Sequence, residues 1–425
     1  MLAKFASMAF TKLQLTKFAE STAASLDPGI VAREQPRAAA LVALQKVPLE
    51  SDVALQIQIA PLLQSYWATF KQGFESTRQK SGPTTLELDF PKLANSVQEW
   101  LGKQQDLEIT LRYEPDAFLT TLVAREKSPA PVPASAGVSP DLARYLPPMQ
   151  IRMLSTARSV QQTTGFTAAL FDFLLKTNPE KVAALKANLD AQLKIATDMQ
   201  QAAGFSVSAE RVFQTVIVAT SANAEAYREL VMQNTLLLRD PGPQANKTMS
   251  CTSQLQRAVR MVEGWPIDHL TTDCKRTASA GAALSKVMAR LYPMTFDSVR
   301  VGSYVVLMQN GSVDEVERIA REILSGKPSG PPLAATAAFP ESSLSWADFN
   351  LAAMLKSAGD LLPDSPGQPM RAVDPALPPM LYASSESDSA TEYRIRMPKA
   401  VIAAAREIFE RMTAAARPPA PPPPK

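Results

Sequence analysis

The segment WPIDHLTTDCKR (265–276) carries the densest group of reactive side chains in the 425-residue chain. Its members, with one upstream thiol, are Asp268, His269, Asp273, Cys274 and Cys251. These side chains could bind a metal ion, but the C-x17-H-x4-C spacing lacks the close ligand pairs of zinc sites. A cysteine–histidine nucleophile pair would need a fold that adds a third, orienting group. We expect a turn with a hydrogen-bonded histidine and a buried thiol, and we predict no metal ligands.

Other catalytic signatures are missing from the sequence. The chain has one histidine, 16 glycines and 35 prolines, and it contains no G-x-G-x-x-G, G-x-x-x-x-G-K-[ST] or G-x-S-x-G motif. Histidine is the usual general base near neutral pH, and phosphate-binding loops need glycine. We therefore predict that the protein is not an enzyme, has no catalytic residues and uses no cofactor. An enzyme with an unrecognised site at 251–276 is the third of three functional hypotheses.

Positive charge is concentrated in two stretches, 247–300 and 390–425, of a chain whose net charge is only +3. Residues 247–300 hold eight lysines and arginines against four acids, which is enough local charge to attract a polyanion. On charge placement alone, the candidate contacts to RNA or another polyanion are Arg257, Arg260, Lys275, Arg276, Lys286, Arg290 and Arg300. The alternative interpretation is a set of solvated helical faces.

The segment MPKAVIAAAREIFERMTAAAR (397–417) has the pattern of a basic amphipathic helix. It lies between a proline-rich stretch and the tail 418–425, which holds six prolines and is predicted to be disordered. We predict that the helix binds a second copy of the chain. The candidate self-association residues are Val401, Ile402, Ile408, Phe409 and Met412. The alternative is that this helix docks on its own chain.

Residues 1–127 are predicted to form an α+β unit. LQIQI, LELDF and LEITLRY, which begin at residues 55, 86 and 107, alternate apolar and polar positions as half-buried strands do. Helices are predicted at 61–80 and 90–103, so we expect a small antiparallel sheet with helices on one face. The first 20 residues, which lack arginine and a clean apolar helical face, are predicted to hold a first strand. The alternative is a cleaved targeting segment.

The rest of the chain is predicted to be helical, with proline-rich connectors. Residues 128–148 hold six prolines and are predicted to be a linker. Ser312 and Glu315 form a capping box at the start of one helix in a helical body at 149–325. Residues 326–396 are predicted to be proline-rich linkers with one helix. Other helices are predicted at 150–176, 178–199, 209–238, 251–264, 277–292 and 297–309. The run at 304–308 is ambiguous, because it could also be a buried strand. The predicted fold class is therefore mainly α.

These observations favour a self-assembling structural protein that encloses or coats nucleic acid, of the capsid or nucleocapsid kind. An imported organellar subunit or adaptor is the second hypothesis. The partners expected are other copies of the chain, together with RNA or another polyanion, and the location is the cytoplasm or a virion. No uncharged apolar run is long enough to cross a bilayer, so we predict no membrane span. Free thiols are expected, because no secretory signal precedes them.

Overall fold

The structure is a computed structural model. It describes residues 53–58, 95, 98–99, 103–126, 138–171, 179–208, 213–239, 249–276, 292–361, 370–387 and 390–415. The described residues form thirteen strands of one antiparallel sheet, in the order β1-β2-β3-β13-β12-β11-β4-β5-β6-β10-β9-β8-β7. In chain order they are β1 (Val53–Gln58), β2 (Gln104–Tyr113), β3 (Ala117–Glu126), β4 (Ile151–Ser155), β5 (Gln200–Ser206), β6 (Gln214–Thr220), β7 (Met249–Val262), β8 (Trp265–Arg276), β9 (Met294–Val301), β10 (Tyr304–Gln309), β11 (Ser345–Phe349), β12 (Met380–Glu386) and β13 (Ala390–Pro398).

Helices cover both faces of this sheet. They are α1 (Ala157–Phe171), α2 (Pro179–Ile195), α3 (Ala224–Arg239), α4 (Val313–Ser325), α5 (Ala334–Ala338), α6 (Leu351–Leu361) and α7 (Lys399–Ala415), with a 3-10 helix at Pro140–Tyr145. One core lies between the sheet and α4, α5 and the 3-10 helix. A second core lies between the opposite face and α1 to α3. We call these two sides the α4 face and the α3 face.

Helix α4 forms for reasons that are visible in its sequence. The Ser312 side chain accepts a hydrogen bond from the Glu315 backbone N–H, and the Glu315 side chain accepts one from the Ser312 N–H, which completes a capping box. Gly326 ends the helix in the left-handed conformation, with φ of 63°. The apolar side of α4 is buried against the ends of β8 to β10. The predicted capping box is confirmed.

Strand order and register repeat about an approximate two-fold axis between β4 and β11. Met153 pairs with Ala347 at the centre, so Ile151–Ser155 corresponds to Ser345–Phe349. Following the pairings outward, β5, β6, β10, β9 and β8 correspond to β12, β13, β3, β2 and β1. A helix follows β4 and β11, and another follows β6 and β13. β7 is the one described strand without a counterpart.

The prediction of a mainly α chain is wrong, because thirteen described strands build one antiparallel sheet. The span 251–264, predicted to be helical, is β7, and 297–309 contains β9 and β10. Leucine, alanine, glutamine and arginine favour helices locally, but neighbouring strands satisfy the backbone hydrogen bonds of these segments. The helices predicted at 150–176 and 209–238 each contain a strand before a shorter helix.

Several predicted elements are confirmed. LEITLRY lies in β2, LQIQI overlaps β1, and α2 starts at Pro179 as predicted. The C-terminal segment forms α7. The N-terminal 20 residues, the helix predicted at 61–80, the strand at 86–90, all but the last residue of the helix predicted at 277–292, and the tail 418–425 lie outside the described residues. The predicted domain boundaries stay predictions, although β3 and β13, from the first and fourth predicted regions, pair in one sheet.

Candidate functional site

His269 and Asp297 lie directly opposite each other on β8 and β9, on the α4 face. The His269 Nδ1 and Asp297 Oδ1 atoms are 2.6 Å apart. The Asp297 side chain is fully buried, whereas 22% of the His269 side chain is exposed. A carboxylate can only accept hydrogen bonds, so Nδ1 of His269 carries the proton and Nε2 is the acceptor. The carboxylate therefore selects one tautomer of the ring.

Thr271 completes a chain of three side chains. It lies two residues after His269 on β8, so both side chains project from the same face of the strand. The Thr271 hydroxyl donates to Nε2 of His269, with 2.8 Å between the two atoms. The hydroxyl, imidazole and carboxylate thus form a continuous hydrogen-bonded relay, which we call the Thr271 triad. The prediction of a hydrogen-bonded histidine is confirmed, but its position is a sheet and not a turn.

The carboxylate of the triad occupies an unfavourable position for a charge. Its second oxygen, Oδ2, makes no hydrogen bond in the part of the chain that the structure describes. Burial raises the pKa of Asp297, and this effect outweighs the hydrogen bond from His269 and the positive charge of Arg239, which lower it. Desolvation in turn lowers the pKa of Arg239 to about 10. The site therefore holds a carboxylate at a cost in stability.

Asp268, the neighbour of His269, belongs to a separate ion cluster on the α3 face. Its carboxylate accepts hydrogen bonds from Arg228 at 2.8 Å, from Arg257 at 2.6 Å and from the Ala258 backbone N–H at 3.0 Å. Arg257 also pairs with Glu229 and lowers the pKa of that carboxyl, because the ionised form gains the hydrogen bond. Asp268 and Arg228 are both buried, so this cluster ties α3 to the sheet.

The two cysteines form a disulfide between β7 and β8, where they pair directly across the strands. The expectation of free thiols is therefore wrong, because the sheet register brings Cys251 and Cys274 together. Asp273 is exposed beside the disulfide. In the ranges that the structure describes, no group of three or more histidine, cysteine or acidic residues could hold a metal ion.

A polar depression of about 380 Å³ lies between the 3-10 helix and β10. Tyr145 and Tyr304 line it, with their ring centroids 6.1 Å apart and nearly perpendicular. No residue of the Thr271 triad lines this depression. The triad instead lies on β8 and β9, beside the exposed β7 residues Gln254 and Gln256, with a half-buried histidine and threonine and a fully buried aspartate.

The predicted polyanion contacts are dispersed in the structure. Arg257 pairs with Glu229 and Asp268, while Arg260 pairs with Asp314 and Glu317. Arg300 lies over the Trp265 ring at 5.4 Å from its centroid, and Lys275 is exposed on β8. Arg276 ends β8, and Lys286 and Arg290 lie outside the described residues. Two of the positive charges are thus matched by carboxylates of the same chain, and nucleic-acid contact stays a prediction.

The predicted self-association residues lie on α7. Val401 and Ile408 are buried, and Ile408 packs in a small core with Ala352 and Val373. Ile402 is exposed. Phe409 and Met412 belong to α7, but their side chains lie outside the described part. Part of the apolar stripe therefore contacts its own chain, and a role in self-association stays a prediction.

No protein-family model, no curated protein and no solved structure matches this chain. The prediction of a helical protein is wrong, and no relative supports a capsid or an RNA-binding role. Among the described residues, no helix is long and apolar enough to span a membrane.

Sequence reasoning found His269 but missed Thr271 and Asp297. The alternation of residues 265–271, with Ile267, His269 and Thr271 on one face, is the signal that would have grouped His269 with Thr271. Asp297 could not be found in this way, because its position opposite His269 depends on the register between β8 and β9.

Proposed function

We propose that this protein is a structural protein that associates with copies of itself through the outer edge of its sheet. The observation that carries the proposal is β7, a 14-residue strand at one end of the sheet order. Among the described residues it pairs only with β8. The outer N–H and C=O groups of such a strand are a template for pairing with another chain.

Side chains on β7 support this proposal. Val259 and Met261 are 40% and 54% exposed. Exposed apolar side chains on an edge strand favour association with another chain. Thr252, Gln254 and Gln256 are exposed too and carry no charge. Natural edge strands that must stay unpaired more often carry lysine or proline. A bulge between Gln256 and Arg260 interrupts the ladder with β8, and Val259 and Met261 lie in and just after this irregular part of β7.

A second copy of the chain is the proposed occupant of this edge. Two identical strands that pair antiparallel form a self-complementary, isologous contact, which closes as a dimer. The chain already uses such a symmetric antiparallel junction internally, between β4 and β11. Val259 and Met261 of each copy would then lie beside the pair of β7 strands that joins the two copies.

Light scattering on the purified full-length chain tests the proposal. We expect a dimer or larger particle, and we expect Val259→Lys combined with Met261→Lys to shift it to the monomer mass. Leu238→Lys is the matched control, because Leu238 is also an exposed apolar residue (56%) but lies on α3. A wild-type monomer, or an unchanged mass in the double variant, contradicts the proposal. Absorbance at 260 nm on the same particle reports whether nucleic acid accompanies it.

A further inference from the structure

We propose that Thr271, His269 and Asp297 form a nucleophilic site that accepts an acyl group from an ester. This activity goes beyond the structural role proposed above and is independent of it. It also runs against the sequence-based expectation that the chain has no catalytic residues. Labelling of Thr271 by a reactive probe distinguishes the two.

The geometry of the triad assigns a role to each side chain. An activated nucleophile needs a base within hydrogen-bond reach and a third group that orients the base. The Thr271 hydroxyl lies 2.8 Å from Nε2 of His269, and Asp297 lies 2.6 Å from Nδ1. Thr271 is thus placed as the nucleophile and His269 as the general base. Asp297 acts through His269 and is a positioning residue.

The internal two-fold relation shows that the sheet does not require this triad. At the corresponding register positions of the other half, His269, Thr271 and Asp297 are replaced by Ala54, Gln56 and Thr110. The pairing of Ala54 with Thr110 is equivalent to that of His269 with Asp297. The same backbone therefore forms with residues that cannot make the relay.

The triad is also costly for stability, which argues against a purely structural role. Asp297 is fully buried, and its Oδ2 atom lacks a hydrogen-bond partner in the described residues. Burial raises the pKa of this carboxyl, so the folded chain disfavours its ionised form. Buried carboxylates of this kind concentrate at functional sites.

A substrate can reach the site from the side of β7, where the neighbouring residues are exposed. Thr271 and His269 are half-buried, and Gln254 and Gln256 lie directly opposite them on β7. Cross-strand neighbours have their Cβ atoms about 4.5–5.5 Å apart, so both amide groups can reach a molecule bound at Thr271. Glutamine N–H groups can stabilise an oxyanion. The acyl donor class that fits is an ester with an exposed carbonyl, not a ligand enclosed in a pocket.

The reaction balances without a further reactant except water. The Thr271 oxygen forms a bond to the ester carbonyl carbon while Nε2 of His269 takes the hydroxyl proton. The tetrahedral intermediate collapses, the ester C–O bond breaks, and the leaving alcohol takes the proton from His269. Water then attacks the acyl-Thr271 ester, with His269 again accepting a proton and returning it to Thr271. The products are a carboxylic acid and an alcohol.

Labelling of the full-length chain with a fluorophosphonate probe, followed by peptide mass spectrometry, tests the site. We expect a single adduct on Thr271, lost in Thr271→Ala and retained in Thr271→Ser. His269→Ala should slow labelling by roughly 10²–10⁴-fold, as expected for loss of a general base. Thr121→Ala is the matched control, because Thr121 lies on the same face in the other half. No adduct on wild type, or an adduct on another residue, overturns the proposal.

Asp297→Asn separates a positioning role from a structural one. We expect labelling to fall while the melting temperature stays unchanged or rises, because the variant removes a buried charge. Hydrolysis of p-nitrophenyl acetate should fall in parallel with labelling. A variant that melts earlier and still labels at the wild-type rate shows a merely structural aspartate. The particle mass from light scattering is read separately, so failure of this site leaves the self-association test intact.

Discussion

The two halves of the sheet share one register but expose different chemistry on the α4 face. In the half covered by α4, Val216, Val218 and Val299 are buried. The corresponding positions in the other half are Arg394, Arg396 and Arg112. The strands therefore pair in the same register with either set of side chains. The side chains determine whether a helix can pack on the face.

The charged half satisfies its arginines locally. Arg125 reaches Asp106 at 2.8 Å and Glu108 at 2.6 Å, while Arg396 lies 2.8 Å from both Glu114 and Asp116. The pKa of Glu114 is lowered, chiefly by the hydrogen bond from Arg396. Most of these side chains are partly exposed, so the ladder of ion pairs is a solvated face and not a second core.

The strongest test exchanges residues between the halves. Val218→Arg places the arginine of the charged half in the core of the α4 face, where the Val218 side chain is fully buried. We expect a loss of about 4 kcal/mol or more in the free energy of unfolding, because an unpaired charge is buried. The reverse change, Arg396→Val, removes partly exposed pairs and should cost no more than about 1 kcal/mol. Urea unfolding of both variants checks the contrast, and similar losses would refute it.

A second test compares ion pairs of the two halves. Asp268→Ala leaves Arg228 buried without its closest buried partner, and we expect a loss of about 3–5 kcal/mol in unfolding free energy. Glu108→Ala removes one partner of the partly exposed Arg125 and should cost about 0–1 kcal/mol. The measurement is again chemical denaturation. Equal losses would mean that burial does not distinguish the two clusters.

The smallest expected effect is the pH dependence contributed by Asp297. Its pKa is raised in the folded chain above the ordinary value of 3.8, so the native state binds the proton more tightly than the unfolded state. The destabilisation of the folded chain by ionised Asp297 is absent below the ordinary pKa and grows as pH rises through the folded pKa. Relative to Asp297→Asn, wild type should therefore melt progressively earlier from pH 4 upward. His269, Arg239 and Glu315 act on this carboxyl, so each variant is compared at the same pH.

A flat difference in melting temperature across that pH range would contradict the raised pKa. The comparison is informative because Thr110, the register equivalent of Asp297, carries no titrating group. Thr110→Ala therefore serves as the control, and we expect its melting temperature to follow wild type in parallel at every pH.

Local sequence patterns predicted some elements well. LEITLRY alternates over seven residues, and the capping box at Ser312 satisfies its own backbone groups, so both elements follow from near neighbours in the chain. The span 251–264 is predicted to be a helix because its residue types favour helices, but most of it lies in β7. Its strand conformation depends on pairing with β8, and the local sequence pattern does not indicate that pairing.

The amino-acid sequence by itself determined where strands such as β2 and helices such as α2 and α4 can form, since alternation and caps act over a few residues. It also supplied His269 as the only imidazole. Only the tertiary structure decided that thirteen described strands share one sheet, that Cys251 meets Cys274, and that Asp297 lies against His269. Strand register acts over long distances in the chain, because the cysteine pair and the histidine–aspartate pair join residues that lie 23 and 28 positions apart.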